Sequence, residues 1–238
     1  MLSKNPPLSL AVLISGNGSN LQAIIDAIAA KKLNAQITCV IANRPNAYGL
    51  TRAKEHNIAT HTLDHKLFTS RESFDEALST LIDKADPDLI VLAGFMRILT
   101  KDFVLKYQGN MINIHPSLLP KYQGLNTFSR AIQNNDTFHG TSIHFVTPEL
   151  DGGPVIAQSK TQIHYPEDNE ASLRCRVQSL EHELLPHVLI LFSENKVSLR
   201  HNAPETSIVL NGDSYYQCPL QWNPNTKTLE SKPNDNTD

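Results

Sequence analysis

The chain has 238 residues, enough to bury a full core as a single α/β domain. Its 21 basic and 24 acidic residues give a formal net charge of -3, with no basic stripe to grip a nucleic-acid backbone, so small-molecule partners are favoured over nucleic acid. Cys39, Cys175 and Cys218 are an odd, widely spaced set without a Cys-x-x-Cys pair, which argues against a disulfide framework or a thiolate zinc site and fits a reducing cytosol.

In chain order, apolar runs of strand length alternate with helical patterns, the signature of βαβ units around a largely parallel sheet. The short N-terminal apolar run has no cleavage site and cannot span a bilayer, so neither secretion nor a membrane partner is expected. Residues 8–15 read as a strand covered on both faces. A glycine turn, Gly16-Asn17-Gly18-Ser19-Asn20, follows, and a helix over 21–31 places Leu21, Ile24, Ile25 and Ile28 on one face. A second strand is expected at 37–42, a short helix at 47–56, and a helix at 71–84 with Phe74, Leu78 and Leu81 inward. Strand 88–93 precedes Gly94-Phe95-Met96-Arg97-Ile98-Leu99 and a short helix at 102–107. Strands are further expected to end near Asn113/His115 and to run over 141–146 and 155–163, before a long helix over 171–193. Residues 1–210 form one domain in this reading, with a phosphate-binding half at about 1–100 and a catalytic and folate-binding half at about 101–210. Residues 211–238 read as a polar tail, and 223–238 as disordered or loosely attached, for want of apolar residues.

Chemistry concentrates in two runs, Asn113-Ile114-His115-Pro116 and Leu150-Asp151-Gly152-Gly153. In an extended segment, positions two apart share a face, so an amide that donates to an oxyanion stands beside an imidazole that moves a proton. A carboxylate on a Gly-Gly turn is a partner that would raise the imidazole's pKa and orient it. Such a trio suits acyl-group chemistry without a nucleophilic Ser or Cys. Singly, His115 also reads as a hydrogen-bonded strand-end histidine and Asp151 as a turn residue.

The turn at Gly16 to Asn20 offers amides at a helix start, an anion site suited to phosphate, or else a tight turn in which Ser19 or Asn20 only caps the helix. It is not a dinucleotide fingerprint, because Leu21 stands at the third glycine and Asn43 where a ribose-binding acid belongs. His139 and His144 lack the spacing of a metal pair.

Together Gly16 to Leu21, Ala93 to Leu99, Asn113 to Lys121, His139-Gly140-Thr141-Ser142 and Leu150 to Val155 resemble the phosphoribosylglycinamide (glycinamide ribonucleotide) formyltransferases, folate-dependent enzymes of purine biosynthesis. The resemblance runs in order from about residue 8 to 193. It implies a Rossmann-like α/β formyltransferase fold, a cytoplasmic enzyme acting as monomer or homodimer, 10-formyltetrahydrofolate as co-substrate, and no metal. It implies that Gly18, Ser19 and Asn20 hold the substrate phosphate and that Glu181 contacts the glycinamide. Arg71, Met96, Arg97, Ile98, Leu99 and Asn113 would contact the folate, and Asn113, His115 and Asp151 would form the catalytic trio. Where relatives commonly read Tyr-Pro-Gly-Leu-His-Thr-His, this chain reads Tyr122-Gln123-Gly124-Leu125-Asn126-Thr127-Phe128, losing a proline and two histidines. Formyltetrahydrofolate deformylase and an inactive folate-binding paralogue are the alternatives that share the constellation.

Overall fold

The computed structural model describes residues 6–202 and 205–231. Within them the main strands are β1 (Leu8–Ile14), β2 (Ala35–Ala42), β3 (Thr60–Thr62), β4 (Leu89–Leu92), β5 (Met111–His115), β6 (Phe138–Phe145) and β7 (Val155–Gln162). A separate three-stranded sheet follows, of β8 (Val197–Asn202), β9 (Glu205–Leu210) and β10 (Asp213–Tyr215). The chain then returns to the main sheet with β11 (Leu220–Asn223) and β12 (Thr228–Ser231), giving the order β12-β11-β7-β6-β5-β4-β1-β2-β3. Pairing is parallel from β3 through β5 and between β7 and β11, and antiparallel at β5/β6, β6/β7 and β11/β12. The mostly parallel α/β architecture expected from the βαβ pattern is the one observed.

Among the described residues six α-helices flank the sheet: α1 (Ser19–Ala29), α2 (Gly49–Glu55), α3 (Arg71–Ala85), α4 (Lys101–Lys106), α5 (Thr127–Gln133) and α6 (Glu170–Ser193). Because successive strand residues face opposite sides, the sheet divides two cores. Leu10, Val12 and Ile14 of β1 pack toward Leu21 and Ile24 of α1 and Leu184, Leu185 and Val188 of α6. Ala11 and Leu13 pack toward Phe74, Leu78 and Ile82 of α3 and Phe103 of α4. Ile82, rather than Leu81, completes the buried stripe of α3, because positions 74, 78 and 82 repeat every four residues while Leu81 stays partly exposed. The glycine turn at 16–20, the Ala93–Leu99 segment and Asn113/His115 thus lie at the carboxyl ends of adjacent parallel strands, where open α/β sheets place ligands.

The C-terminal reading needs correction. Residues 213–231 carry β10, β11 and β12, and the trace of apolar content that suggested a tail is concentrated in the buried Leu220 and Trp222. Trp222 joins the α6-side core, donates from Nε1 to Glu183 Oε2 at 3.0 Å and packs its ring on His187 at 4.2 Å between centroids. The part of the expected disordered segment at 232–238 lies outside the described residues. Trp222→Ala should cost about 3 to 5 kcal/mol in urea unfolding, the range for truncating a buried tryptophan. An unchanged midpoint would show that the hairpin is not docked.

Candidate active site

The trio assembles from three secondary-structure contexts. Asn113 and His115 share one face of β5, as two-residue spacing on a strand requires. Asp151 sits in the turn between β6 and β7 with a left-handed φ of 50°, a conformation that Asp tolerates better than most side chains. Gly153 makes that turn possible, since a Cβ there would lie 1.9 Å from the Phe145 carbonyl oxygen. Asp151 Oδ2 lies 3.4 Å from His115 Nδ1, and Asp151 Oδ1 accepts from Asn113 Nδ2 at 3.3 Å. His115 is buried, at 6% exposure.

The proton arrangement follows from the partners. His115 Nε2 donates to the Tyr122 carbonyl at 2.9 Å, so in the neutral ring Nδ1 would turn a lone pair toward the Asp151 carboxylate. Only the imidazolium satisfies both contacts. Burial nevertheless holds the His115 pKa below its ordinary value, and the Tyr122 carbonyl and Asp151 charge oppose it only in part. The expected upward shift is therefore corrected: Asp151 pushes in the predicted direction, and desolvation outweighs it. Burial raises Asp151 in turn, but a hydrogen bond from His144, the charge of His115 and the Gly124 amide bring its pKa below the usual carboxylate value.

His144 is the residue that sequence reasoning passed over, having been weighed only as a metal ligand. It pairs directly across from Asn113 in the β5/β6 ladder. Its Nδ1–H donates to the Phe145 carbonyl at 2.9 Å, and its Nε2 faces both Asn113 Nδ2 at 3.1 Å and Asp151 Oδ1 at 3.6 Å. Its only sequence-level signal is the alternation of β6, which needed the antiparallel register to point at Asn113. Among the described residues no group of three or more His, Cys, Asp or Glu is arranged to hold a metal ion.

The altered loop still reaches the aspartate. Gly124 N–H donates to Asp151 Oδ2 at 2.9 Å and Gln123 Nε2 to the Asp151 carbonyl at 3.2 Å. Phe128, in place of a histidine, is buried edge-on against His139 at 5.1 Å, with the Arg174 guanidinium 4.5 Å from its centroid on the ring face. His139 Nε2 is buried with no hydrogen-bond partner, and burial pushes the His139 pKa down to about 4, so this ring stays neutral.

At the glycine turn before α1, Gly18 is required twice over: its φ is 74°, and a Cβ would lie 2.6 Å from Gly49 Cα. Gly18 itself is the N-cap, no side chain caps α1, and the first helical bond runs from the Gln22 amide to the Gly18 carbonyl. The capping role weighed for Ser19 or Asn20 is thus removed, and the amides of Ser19 and Asn20 lie outside the helical ladder. Arg52 braces the turn, donating to the Asn17 carbonyl and side-chain oxygen, each at 3.0 Å. Asn43 is turned inward, its Oδ1 accepting from Ser15 Oγ at 2.6 Å.

That serine also accepts from the Met96 amide at 2.6 Å, tying the Met96–Leu99 segment to the end of β1. The segment is held from below by α3, where Asp75 accepts from the Thr100 amide at 2.6 Å and Phe74 lies 4.1 Å under the Arg97 guanidinium. Met96 and Ile98 project outward, 57% and 54% exposed, and Leu99 is half-buried. Arg71 stands apart, exposed at the first position of α3 one turn before Phe74 and Asp75.

Asn20 and Glu181 meet across 161 positions, Asn20 Nδ2 donating to Glu181 Oε2 at 2.9 Å. Burial raises Glu181 to about 7, with the Asn20 bond opposing. A carboxyl whose folded pKa exceeds its unfolded value binds more protons when folded, so stability from this group falls as pH rises from about 4.5 to about 7. Glu181→Gln should therefore gain on wild type by on the order of 2 to 3 kcal/mol between about pH 5 and about pH 8. Urea midpoints at both pH values check this, and a constant difference would reject a raised Glu181.

The formyl transferase family matches residues 8–189. The chain is 50% identical over 196 residues to the phosphoribosylglycinamide formyltransferase of Escherichia coli K12, covering 82% of this chain and 92% of that protein. The solved phosphoribosylglycinamide formyltransferase of Coxiella burnetii, in complex with CHES, superposes with a TM-score of 0.82 at 51% identity, over 88% of this chain and 96% of that one. The glycinamide ribonucleotide transformylase 1 of Symbiobacterium toebii superposes at 0.81 with 32% identity, over 88% and 97%. A match over most of the chain, with the strand-end trio intact inside it, makes this protein a member of the formyl transferase family.

Proposed function

We propose that this chain transfers a formyl group from 10-formyltetrahydrofolate to the amine of phosphoribosylglycinamide in purine biosynthesis, with Asn113, His115 and Asp151 as its reacting constellation. The convergence of these three side chains within 3.4 Å contacts at the strand ends carries the reading. The turn at Gly18, Ser19 and Asn20 suits the ribonucleotide phosphate, and Glu181 the glycinamide end. The Met96–Leu99 segment suits the pteridine through its backbone groups and the exposed Met96 and Ile98 side chains, and Arg71 is read as a further folate contact. The halves at about 1–100 and 101–210 thereby divide phosphate binding from catalysis.

In this mechanism the neutral substrate amine attacks the formyl carbon and the carbonyl π pair moves onto oxygen. Asn113 Nδ2–H and the Nδ1–H of the His115 imidazolium donate to that oxyanion, while His115 Nε2–H stays on the Tyr122 carbonyl. Collapse expels the folate nitrogen, and the proton lost by the amine reaches it through the His115/Asp151 pair or a water it orders. Holding both reactants in one cleft removes on the order of 7 kcal/mol or more from the barrier.

The decisive assay follows tetrahydrofolate release with and without the ribonucleotide. Release that depends on the ribonucleotide supports transfer, release without it supports the deformylase, and folate binding without release supports an inactive paralogue.

A further inference from the structure

His115, Ser142, Gln158 and Gln221 occupy one rung across four strands: His115 pairs with Ser142, Ser142 with Gln158, and Gln158 with Gln221. Directly opposed residues present their side chains on the same face, so the rung joins the histidine to the sheet's interior. Gln158 and Ser142 are buried, at 8% and 0% exposure. Gln158 Nε2 donates to the Leu119 carbonyl at 2.8 Å and to Ser142 Oγ at 2.9 Å. Ser142 Oγ accepts from the Leu119 amide at 3.0 Å and donates to the Ser117 carbonyl at 2.6 Å. Gln221 Nε2 donates to the Gln158 carbonyl at 3.0 Å, pinning the rung from the C-terminal hairpin.

These bonds grip the base of a loop that begins and ends on the same imidazole. It leaves β5 at His115, whose carbonyl accepts from Thr141 Oγ1 at 3.0 Å. Ser117 Oγ donates to the Lys121 carbonyl at 2.7 Å, and the next residue, Tyr122, accepts from His115 Nε2 at 2.9 Å. Displacing Leu119 or Ser117 therefore displaces the carbonyl that orients the ring.

We propose that Gln158 is a positioning residue for formyl transfer: with Ser142 it fixes the 117–122 loop and, through the Tyr122 carbonyl, the orientation of His115. The inference rests on the reading of His115 as a reacting group.

Gln158→Leu, Ser142→Ala and the double variant are measured as intact chains for kcat and for KM of both substrates, with folding checked by circular dichroism. Each single variant should lower kcat by tenfold or more with KM within about threefold, since a misplacement of about 1 Å at a reacting group is worth on the order of a hundredfold. The double variant should fall no further than the worse single one, because residues acting as a unit are non-additive. A folded single variant with kcat within tenfold of wild type, losses carried by KM, or effects that multiply in the double variant would overturn the proposal. Should Gln158→Leu fail to fold, Gln158→Asn replaces it under the same criteria. His115→Ala measured alongside separates the two levels. An active His115→Ala removes the underlying reading, whereas an inactive one beside a nearly wild-type Gln158→Leu removes only this inference.

Discussion

His115→Ala is expected to lower turnover by about three orders of magnitude while both substrates bind within a few-fold of wild type. Removing one donor to a developing oxyanion costs about a hundred- to a thousandfold, and losing a positioned proton carrier adds to this. Binding should survive because the residues proposed to hold the substrates, the 16–20 glycine turn, Glu181 and the Met96–Leu99 segment, are carried by β1, α1, α6 and β4 and take their described hydrogen bonds from groups other than the imidazole. Steady-state kcat beside equilibrium titration of each substrate checks the split. Turnover within tenfold of wild type would sink the assignment.

Asp151→Asn is expected to lower turnover by about a hundredfold or more and to move the high-pH limb of the rate profile toward acid. The carboxamide keeps the shape but removes the charge that faces His115, His144 and Asn113. Asp151 raises the His115 pKa against the lowering by burial, so removing the charge lowers that pKa further. Activity that needs the imidazolium is lost as pH rises through that pKa, and in the variant the loss comes at a lower pH. A pH–rate profile whose limb stays in place would reject a functional pairing of the two groups.

The resilience of the trio to the altered loop has a structural basis. Asp151 takes its contacts from a backbone amide at Gly124, from His144 and from Asn113, and none of these depends on the two histidines replaced by Asn126 and Phe128. Phe128 instead settles in an apolar contact with His139 and leaves Nε2 of that ring unpartnered.

Much of the site was legible because its key residues sit where local rules are strong. Two-residue spacing on β5 puts Asn113 beside His115, continuous apolar runs mark the strands buried on both faces, and Gly18 and Gly153 mark backbone that no side chain fits. Other features had no local sign. The last 28 residues are polar enough to read as a tail, yet one tryptophan docks a hairpin on α6, because a single large ring buries enough surface to offset ordering its short neighbours. Helix α5 and strand β3 were likewise unforeseen, being short segments whose form depends on neighbours rather than on their own pattern.

By itself, then, the sequence determined the alternating α/β order, the two glycine turns, and the pairing of amide with imidazole on one strand face, all consequences of backbone geometry over a few residues. Only the tertiary structure decided which side chains met. It set His144 opposite Asn113, ran a rung from His115 to Gln221, and paired Asn20 with Glu181 across 161 positions. It also reversed the net pKa direction expected for His115. Strand register and desolvation are properties of the whole packed molecule, since both depend on what covers a group from segments far away in the chain.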